Sequence, residues 1–498
     1  MYVLQIPSSV FPHRTTADWC HLGQVTMDIL PDDILLCIFK VYMNGTFRKG
    51  WHILAHGVKE WHHWHGLVQV CRRWRTLVFG SPHHLNVQLL CSAQTPARKL
   101  DTWPALPVVV YQHHFLKQKL DNLLAAVKHN DRVCEIDLRS PFEIGQLEKI
   151  VSVMEVPFPV LTNLKLALDK EDQTVPVLPD LFLGRSAPRL QHIELDGFSF
   201  PGLPDLLLSA SSLVSLELRR IHHSWYISPD AMVTPLSALT RLKSLILEFQ
   251  VDFRRPHSDR ESRHLPPPPT RTLIPSLTRL KFEGVNEYAE QLLSRFDTPR
   301  LDELDMIFFK ESYYTVFNVS HLSQFISRRT PKFQAPDEAL VAFSDDLIKV
   351  TLSFPAPEHK IVLGVLSEES PGGQLRSLTE LCRSFLPAFA MVERLYIRQC
   401  GYRWPRRWKY GIMHTYWLQL LHLFTNAKDL YISRDITMFI APTLNELIGE
   451  RTTEVLPALQ NLYFHKYGEL TGLAAIEDFT TARELSGHPI TVSRWFGW

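Results

Sequence analysis

The sequence predicts an α/β protein in which a small amino-terminal helical module precedes a curved repeat solenoid with an inner parallel β-sheet. Two helix-like apolar patterns, a strand-like figure that recurs from about residue 130 and an average composition support this prediction. The chain has 498 residues, 45% hydrophobic and 21% charged, as is typical of globular proteins and not of disordered chains. We expect a tail at 1–25, the helical module at 26–92 with an insertion at 43–66, a connecting segment at 93–130 and the solenoid at 131–498.

The overall charge excludes a global attraction to nucleic acid or to an anionic membrane. Lysine and arginine total 53 against 52 aspartate and glutamate residues, which leaves a formal net charge of +1.

No apolar run approaches the roughly 18 residues that a membrane-spanning helix needs, and the first residues do not resemble a secretory signal. Seven single cysteines, an odd number without a C-x-x-C pair, argue against a disulfide framework. We therefore expect a cytoplasmic or nuclear protein with no membrane partner.

Two amphipathic segments predict the helical module. From residue 29 to 39, Pro31 suits a first helical turn, and Asp32 and Asp33 oppose the positive end of the helix dipole. Apolar residues recur on one broad face, at Ile34, Leu35, Ile38, Phe39 and Tyr42. From residue 64 to 79, a second apolar stripe consists of Leu67, Val70, Cys71, Trp74 and Val78. Periodicity alone therefore indicates an ordinary small helical core.

The residues of these two segments also resemble a known family. The runs Leu30-Pro31-Asp32-Asp33-Ile34-Leu35 and Val70-Cys71-Arg72-Arg73-Trp74-Arg75 resemble the opening and the later part of the F-box, a match that spans about 60 residues. The continuation through 78–86 and 100–107 is similar to large fungal F-box families, in which the box leads into a leucine-rich region. The resemblance implies docking onto the Skp-type adaptor of a cullin–RING ubiquitin ligase.

The resemblance and the helical spacing together assign roles within the module. Five side chains are expected to form an exposed adaptor-binding face: Leu30, Pro31 and Leu35, which match the F-box pattern, and Leu36 and Phe39, which helical spacing adds. The core of the box is expected to consist of Ile34, Ile38, Val70, Cys71 and Trp74.

The insertion at 43–66 is longer than the connection expected inside an F-box. It contains three tryptophans and five histidines, and His52 and His56 lie one helical turn apart. Imidazoles are common zinc ligands, so a metal site and an aromatic-rich insertion without a metal are both open. The segment has no cysteine and only Glu60 as a nearby carboxylate, which favours the insertion without a metal.

From about residue 130, a figure recurs in which apolar residues occupy positions one, four and six. Its fourth positions are Ile136, Leu164, Ile193, Leu216, Leu245, Leu280, Leu304, Leu395, Leu430 and Leu462. The first seven lie 23 to 35 residues apart, which brackets the ~20–29-residue period of leucine-rich repeats. Each unit pairs a strand with a helical or irregular return, such as 288–296, and cannot cover its own apolar face. Neighbouring units are therefore expected to stack into a solenoid with a parallel inner sheet.

Two stretches interrupt these repeats. Residues 252–270 hold four arginines and four consecutive prolines, which indicates an exposed loop. The prolines fit a solvated insertion, which we favour, or a polyproline ligand. Between the figures at Leu304 and Leu395, the apolar runs 339–343 and 347–354 are joined by a turn signal and predict a hairpin. The sheet is expected to continue there through divergent or partly antiparallel units.

The sequence lacks the common catalytic motifs. It has no phosphate-binding loop, no dinucleotide-binding glycine pattern, no nucleophile elbow and no H-E-x-x-H metal pair. Its single cysteines fit packing better than nucleophilic chemistry. We therefore predict a non-catalytic receptor or adaptor subunit that uses no cofactor.

The segment 402–410 interleaves four cations with four aromatic residues. Such a mixture can hold phosphates while its rings stack on bases, so nucleic-acid binding is one interpretation. A return loop of the solenoid with solvated arginines is the other, and the balanced charge of the chain favours it.

Alignment of the last three strand figures predicts a ladder of tyrosines. Tyr396, Tyr431 and Tyr463 occupy one position and would lie roughly 4.8 Å apart on the inner face of a parallel sheet. In earlier repeats the equivalent positions are mostly charged, with an acidic bias. Rigid amphipathic tyrosines are favoured at binding hot spots, so they are candidates for target binding together with Arg398 and His465. Aromatic packing between strands without a binding role is equally open.

These features lead to two hypotheses for function. In the first, the module binds a Skp-type adaptor, and through it a cullin–RING complex, while the solenoid presents a target protein for ubiquitin transfer. In the second, the chain is an interaction scaffold outside any ligase and binds nucleic acid through 402–410, with the helices capping the array. Binding of the adaptor distinguishes the two, and the first is favoured.

Overall fold

The computed structural model describes residues 30–49, 64–82, 84–92, 100, 104–112, 120–139, 144–168, 175–222, 227–250, 271–310, 317–328, 333, 335–356, 359–367, 371–400, 414–449, 451–465 and 473–495. The chain divides into two units, one within 1–90 and 101–107 and the other within 91–100 and 108–498. The second unit thus starts earlier than the expected solenoid boundary at 131. The predicted tail at 1–25 and the loop at 252–270 lie outside the described residues.

The first unit contains three helices, α1 (Asp32–Lys49), α2 (Trp64–Val70) and α3 (Arg72–Gly80). Helix α1 extends over the first residues of the expected insertion. The predicted second helix is divided at Cys71, whose backbone is extended and whose Sγ accepts a hydrogen bond from the Trp74 backbone N–H. This acceptor satisfies one of the amide groups that the start of α3 leaves without an intrahelical partner.

Contacts between α1 and α3 orient the helices of this unit. The rings of Phe39 and Trp74 lie 4.7 Å apart, and both Leu35 and Phe39 are fully buried. At the start of α1, the Arg73 guanidinium pairs with the Asp32 carboxylate at 2.6 Å. The ion pair and the ring contact together turn the Leu35 and Phe39 side of α1 toward α3.

Within the described ranges, sixteen strands form one sheet. The strands are β1 (Leu89–Cys91), β2 (Val108–Gln112), β3 (Val133–Arg139), β4 (Asn163–Ala167), β5 (His192–Asp196), β6 (Ser215–Ile221), β7 (Ser244–Phe249), β9 (Arg279–Gly284), β11 (Glu303–Phe309), β12 (Glu338–Phe343), β13 (Leu347–Ser353), β14 (Lys360–Leu366), β15 (Arg394–Gln399), β16 (Asp429–Ile432), β17 (Asn461–His465) and β18 (Thr491–Trp495). Strands β8 (Thr272–Leu273) and β10 (Phe296–Asp297) form a separate parallel pair.

The register of the sheet confirms the predicted strand anchors. From Ile136 on β3 to Leu304 on β11, each fourth-position residue of the figure pairs with the next one, and Leu395, Leu430 and Leu462 pair in the same way. All ten are buried. Because side chains alternate between the two faces of a strand, this register places one apolar row on the helix-covered face and leaves the other face open.

The predicted hairpin between the regular repeats is confirmed and is part of a three-stranded insertion. Strand β13 pairs antiparallel with β12 on one side and with β14 on the other. Strand β14 then pairs parallel with β11, and β12 pairs parallel with β15. The spatial order is therefore β11, β14, β13, β12, β15, so Glu338 at the start of β12 lies beside Arg394 at the start of β15.

Helices of the second unit cover one face of the sheet. They are α4 (Leu120–Val127), α5 (Ile144–Val153), α6 (Leu203–Ser209), α7 (Pro229–Ala238), α8 (Asn286–Arg295), α9 (Ser320–Ser327), α10 (Pro371–Arg383), α11 (Leu386–Ala390), α12 (His414–Leu421), α13 (Arg434–Asn445) and α14 (Leu473–Leu485), with a 3₁₀ turn at Phe182–Arg185. Neighbouring helices pack side by side, as α6, α7, α8 and α9 do in sequence. The chain is thus an α/β protein with a large, mostly parallel sheet.

No helix within the described residues is both long enough and apolar enough to span a membrane.

A buried carboxylate joins two of these helices. Glu290 on α8 accepts hydrogen bonds from the backbone N–H groups of His321 and Leu322, at 2.7 and 2.9 Å, at the start of α9. The pKa of Glu290 is raised, because the effect of burial is larger than the opposite effect of the two amide hydrogen bonds. The carboxylate therefore caps a helix that begins 30 residues further along the chain.

We expect Glu290→Ala to lower the free energy of unfolding by about 1–3 kcal/mol, because one buried and one partly buried amide group lose their acceptor. Urea unfolding followed by circular dichroism measures the change. Glu287→Ala is the matched control, since Glu287 is an exposed carboxylate on the same helix. Equal stabilities for the two variants would contradict the capping role.

Candidate functional site

One continuous row of side chains crosses the open face of the sheet. From β2 to β18, in spatial order, each of its members pairs with the next: Tyr111, Asp137, Lys165, Glu194, Glu217, Ile246, Lys281, Asp305, Val362, Thr351, Leu340, Tyr396, Tyr431, Tyr463 and Ser493. Most of these side chains are half-buried. The row is charged across the earlier strands and aromatic across β15, β16 and β17.

The charged part of the open face is neutralised by pairs between strands. Arg219 contacts Glu217 on its own strand and Glu248 on β7, both at 2.9 Å, and Lys281 on β9 reaches Glu248 at 2.5 Å. Lys165 lies 3.4 Å from Glu194 on the next strand. Opposite charges on neighbouring strands stabilise a sheet, so these residues have a structural role that needs no ligand.

Two carboxyl groups in the middle of the open face have raised pKa values. Burial is the main cause at Asp305, where Lys281, Lys349 and Lys360 act in the opposite direction. Burial also raises the pKa of Glu283, and the neighbouring Glu248 raises it further. Burial thus makes the ionised form of both groups less favourable, although both side chains lie on the open face of the sheet.

The predicted tyrosine ladder is present on β15, β16 and β17. Tyr396 pairs with Tyr431, and Tyr431 pairs with Tyr463. The ring centroids lie 4.4 Å apart in both contacts, with interplanar angles of 18° and 8°. This spacing is that of adjacent strands, so the parallel register itself produces the stack.

Trp495 on the last strand completes the aromatic surface. Its ring lies 5.3 Å from that of Tyr431 at an angle of 76°, 6.4 Å from Tyr396 and 6.2 Å from His465. Edge-to-face contacts of this kind are favourable beyond the area they bury. We call this surface, formed by Tyr396, Tyr431, Tyr463, His465 and Trp495, the aromatic patch.

Sequence reasoning did not identify Trp495, because β18 lacks the leucine figure of the earlier strands. Its core-side position next to Leu462 holds Val492, which is 46% exposed. The β-branched residues Thr491 and Val492 and the aromatic Trp495 were the available signal for a further strand.

Polar side chains border the aromatic patch at the end of the sheet where β12, β15 and β16 begin. Four carboxylates lie there, which we call the acidic rim: Asp337, Glu338, Glu393 and Asp429. Arg394 contacts Asp337 at 2.8 Å and Glu338 at 2.9 Å, and Lys428 contacts Glu393 at 2.6 Å. Asp429 accepts a hydrogen bond from the neutral Asn461 amide at 2.7 Å.

The surroundings raise the pKa of two phenols of the patch, those of Tyr396 and Tyr431. Burial raises the pKa of Tyr396 to about 12, and the nearby Glu338 carboxylate adds to the shift. Burial also raises the pKa of Tyr431, followed by the effect of Asp429. Both hydroxyls are therefore neutral near pH 7 and can donate hydrogen bonds to a ligand.

The remaining predicted target-binding residues lie at the other side of the patch. Arg398 follows Tyr396 by two residues and His465 follows Tyr463 by two, so both lie on the open face, and both are half-buried. His465 contacts Trp495. The structure thus brings the three tyrosines and His465 into one surface, with Arg398 on the same face.

Two residues of the expected adaptor-binding face are buried in the helical unit. Leu35 and Phe39 are fully buried, so the expectation that they are exposed is wrong. They pack in the core because Phe39 contacts Trp74 on α3. Pro31 is exposed, whereas Leu30 and Leu36 are half-buried.

Conversely, three residues that were expected in the core of the module are exposed. Ile34, Ile38 and Val70 were expected inside, but they are 44%, 40% and 59% exposed. Cys71 and Trp74 are half-buried. On α1, Ile34 and Ile38 lie on the side turned away from Phe39, and Val41 extends this side and is 72% exposed. We call Ile34, Ile38, Val41, Tyr42 and Val70, all exposed, the apolar helical face.

Two sequence hypotheses fall on undescribed parts of the chain. The basic–aromatic segment at 402–410 lies outside the described residues, as do His52 and His56 of the insertion. Within the described ranges, no group of three or more His, Cys, Asp or Glu side chains is arranged to hold a metal ion.

A comparison with models of known protein families found no match to this chain, and a comparison with curated proteins found none either.

We expect Tyr396→Phe to reduce the loss of stability between pH 10 and 12. Because the pKa of Tyr396 is about 12 in the folded chain against an ordinary value of 10, its contribution to stability is complete below pH 10 and is lost as the pH approaches 12. Urea unfolding across this window, for wild type and variant, measures the difference. Parallel pH profiles would contradict the buried environment of this phenol.

Proposed function

We propose that this protein is the substrate-receptor subunit of a Skp–cullin–F-box type ubiquitin ligase. In this proposal, the helical unit is an F-box that binds the Skp-type adaptor, and the second unit is a leucine-rich-repeat solenoid that binds the target protein. In this proposal, the chain itself supplies no catalytic group. Its contribution to ubiquitin transfer is to hold the target near the transfer machinery, which raises the effective concentration.

The observation that carries the proposal is the apolar helical face. Five apolar side chains are exposed on α1 and α2, in the unit whose sequence resembles the F-box. Single exposed apolar residues are normal, but several on one side of a helix are typical of a protein-binding surface. Ile34, Ile38 and Val41 follow the i, i+4, i+7 spacing of one helix side, so a partner can cover them together.

A second feature supports the proposal that the two units bind different proteins. The aromatic patch lies on the open face of the sheet, in the second unit. Tyrosine and tryptophan are enriched at the centres of protein interfaces, where they supply large rigid contacts at little entropic cost. The adaptor and the target therefore have separate surfaces in the proposal.

We expect the double variant Ile38→Glu/Val41→Glu to reduce adaptor affinity by more than tenfold, because two carboxylates would be desolvated in an apolar interface. Co-purification of the full chain with a Skp-type adaptor, followed by titration calorimetry, measures the effect. Both side chains are exposed, so the fold should survive, which circular dichroism checks.

Lys40→Glu is the control, since Lys40 is an exposed polar residue between the two substituted positions. It should bind the adaptor within a few-fold of wild type. Full affinity in the folded double variant would place the adaptor elsewhere, and absence of adaptor binding by the wild-type chain would overturn the proposed function.

A further inference from the structure

Carboxylates outnumber cations along the acidic rim. Four negative charges, at Asp337, Glu338, Glu393 and Asp429, face the two positive charges of Arg394 and Lys428, which leaves a net charge of −2. Arg394 is shared by two carboxylates, and the partner of Asp429 is a neutral amide. The rim is therefore negative although the whole chain has a formal net charge of +1.

The rim and the tyrosines are close enough to act on one ligand. Glu338 and Asp429 lie in one row of the open face with Arg394 between them, two residues before the row that holds Tyr396 and Tyr431. Their carboxylates add to the rise in the pKa of these two phenols, so the hydroxyls lie within range of the negative charge. A cation placed there would be attracted by carboxylates and ring electrons together.

The shape of the surface favours an extended chain over a small molecule. The side chains of the patch are half-buried on a sheet face, and the described residues do not enclose them, whereas small-molecule sites are concave. The ring centroids of Tyr396 and Tyr463 are separated by two successive distances of 4.4 Å. About three residues of an extended peptide span this length. The neutral phenol hydroxyls and Arg398 on the far side provide donors for the carbonyl groups of such a peptide.

We infer that the aromatic patch and the acidic rim bind an extended, lysine- or arginine-bearing peptide segment of the target protein. The inference rests on the proposed function for the identity of that protein as a ubiquitination target. The basic side chains lie over the tyrosines toward Glu338 and Asp429, and the backbone faces the Arg398 side. Phosphate-bearing ligands, including RNA, are repelled by the same carboxylates.

The test uses two fluorescein-labelled peptides of equal length, one alternating lysine with tyrosine and the other alternating glutamate with tyrosine. Fluorescence anisotropy with the full chain measures their affinities. We expect the lysine peptide to bind at least tenfold more tightly than the glutamate peptide, and its affinity to fall with salt. Tyr431→Ala and the double variant Glu338→Gln/Asp429→Asn should each weaken the lysine peptide by at least fivefold.

The double variant Glu135→Gln/Glu303→Gln is the matched control. Glu135 and Glu303 belong to the same row of the open face as Glu338, on β3 and β11, and the substitutions remove the same charge far from the patch. The control should bind the lysine peptide as wild type does. An equal loss in the control, a preference for the glutamate peptide, or competition by polyuridine RNA at the patch would overturn the inference.

Failure of the inference and failure of the proposed function give different results. A chain that prefers the lysine peptide through Tyr431 but binds no Skp-type adaptor supports the chemistry of the patch and overturns the ligase role. A chain that binds the adaptor through the apolar helical face but shows no preference for the lysine peptide overturns the inference alone.

Discussion

In-register pairing of parallel strands is the constraint on which this structure depends. Residues on a strand point alternately to the two faces of the sheet, so a slip of one residue would exchange the buried leucines for the polar row. The apolar anchors Ile193, Leu216 and their equivalents fix the register because they must lie under the helices. Once they are fixed, the residue after each anchor has no freedom of position, and Tyr396, Tyr431 and Tyr463 must stack.

The sequence predicted the parts of the fold that depend on local periodicity. The strand anchors, the hairpin of β12 and β13 and the tyrosine ladder all follow from spacing along the chain, and each is confirmed. The acidic rim did not follow, because Glu338 meets Arg394 only after the chain passes through the three-stranded insertion. The sequence also assigned the wrong side of α1 to the core, because the apolar face of this helix is broad and periodicity does not show which part of it is buried. That choice depends on the contact of Phe39 with Trp74 and on the ion pair between Arg73 and Asp32, which join residues far apart in sequence.

The open face of the sheet divides into a part whose charges are paired within the chain and a part that we propose for recognition. Across the earlier strands, Arg219 and Lys281 pair with carboxylates within the chain, so much of the charge of this region is already neutralised. Across β15 to β17, the same row carries aromatic rings, and the adjacent carboxylates exceed their cations. The change from paired charges to stacked rings therefore marks the part of the face that we assign to recognition. The exposed apolar residues of α1 and α2 form a second surface in a different unit, which suits a receptor that must hold two proteins at once.

The central claim is that both surfaces serve one process, the delivery of a target for ubiquitin transfer. Quantitative proteomics of source cells provides the most direct test, with the endogenous chain replaced by wild type, by a variant of the apolar helical face or by a variant of the aromatic patch. Loss of either surface blocks delivery, so the account predicts that the same proteins accumulate in both variants and that their half-lives lengthen. Two sets of accumulating proteins that do not overlap, or no accumulation in either variant, would contradict it.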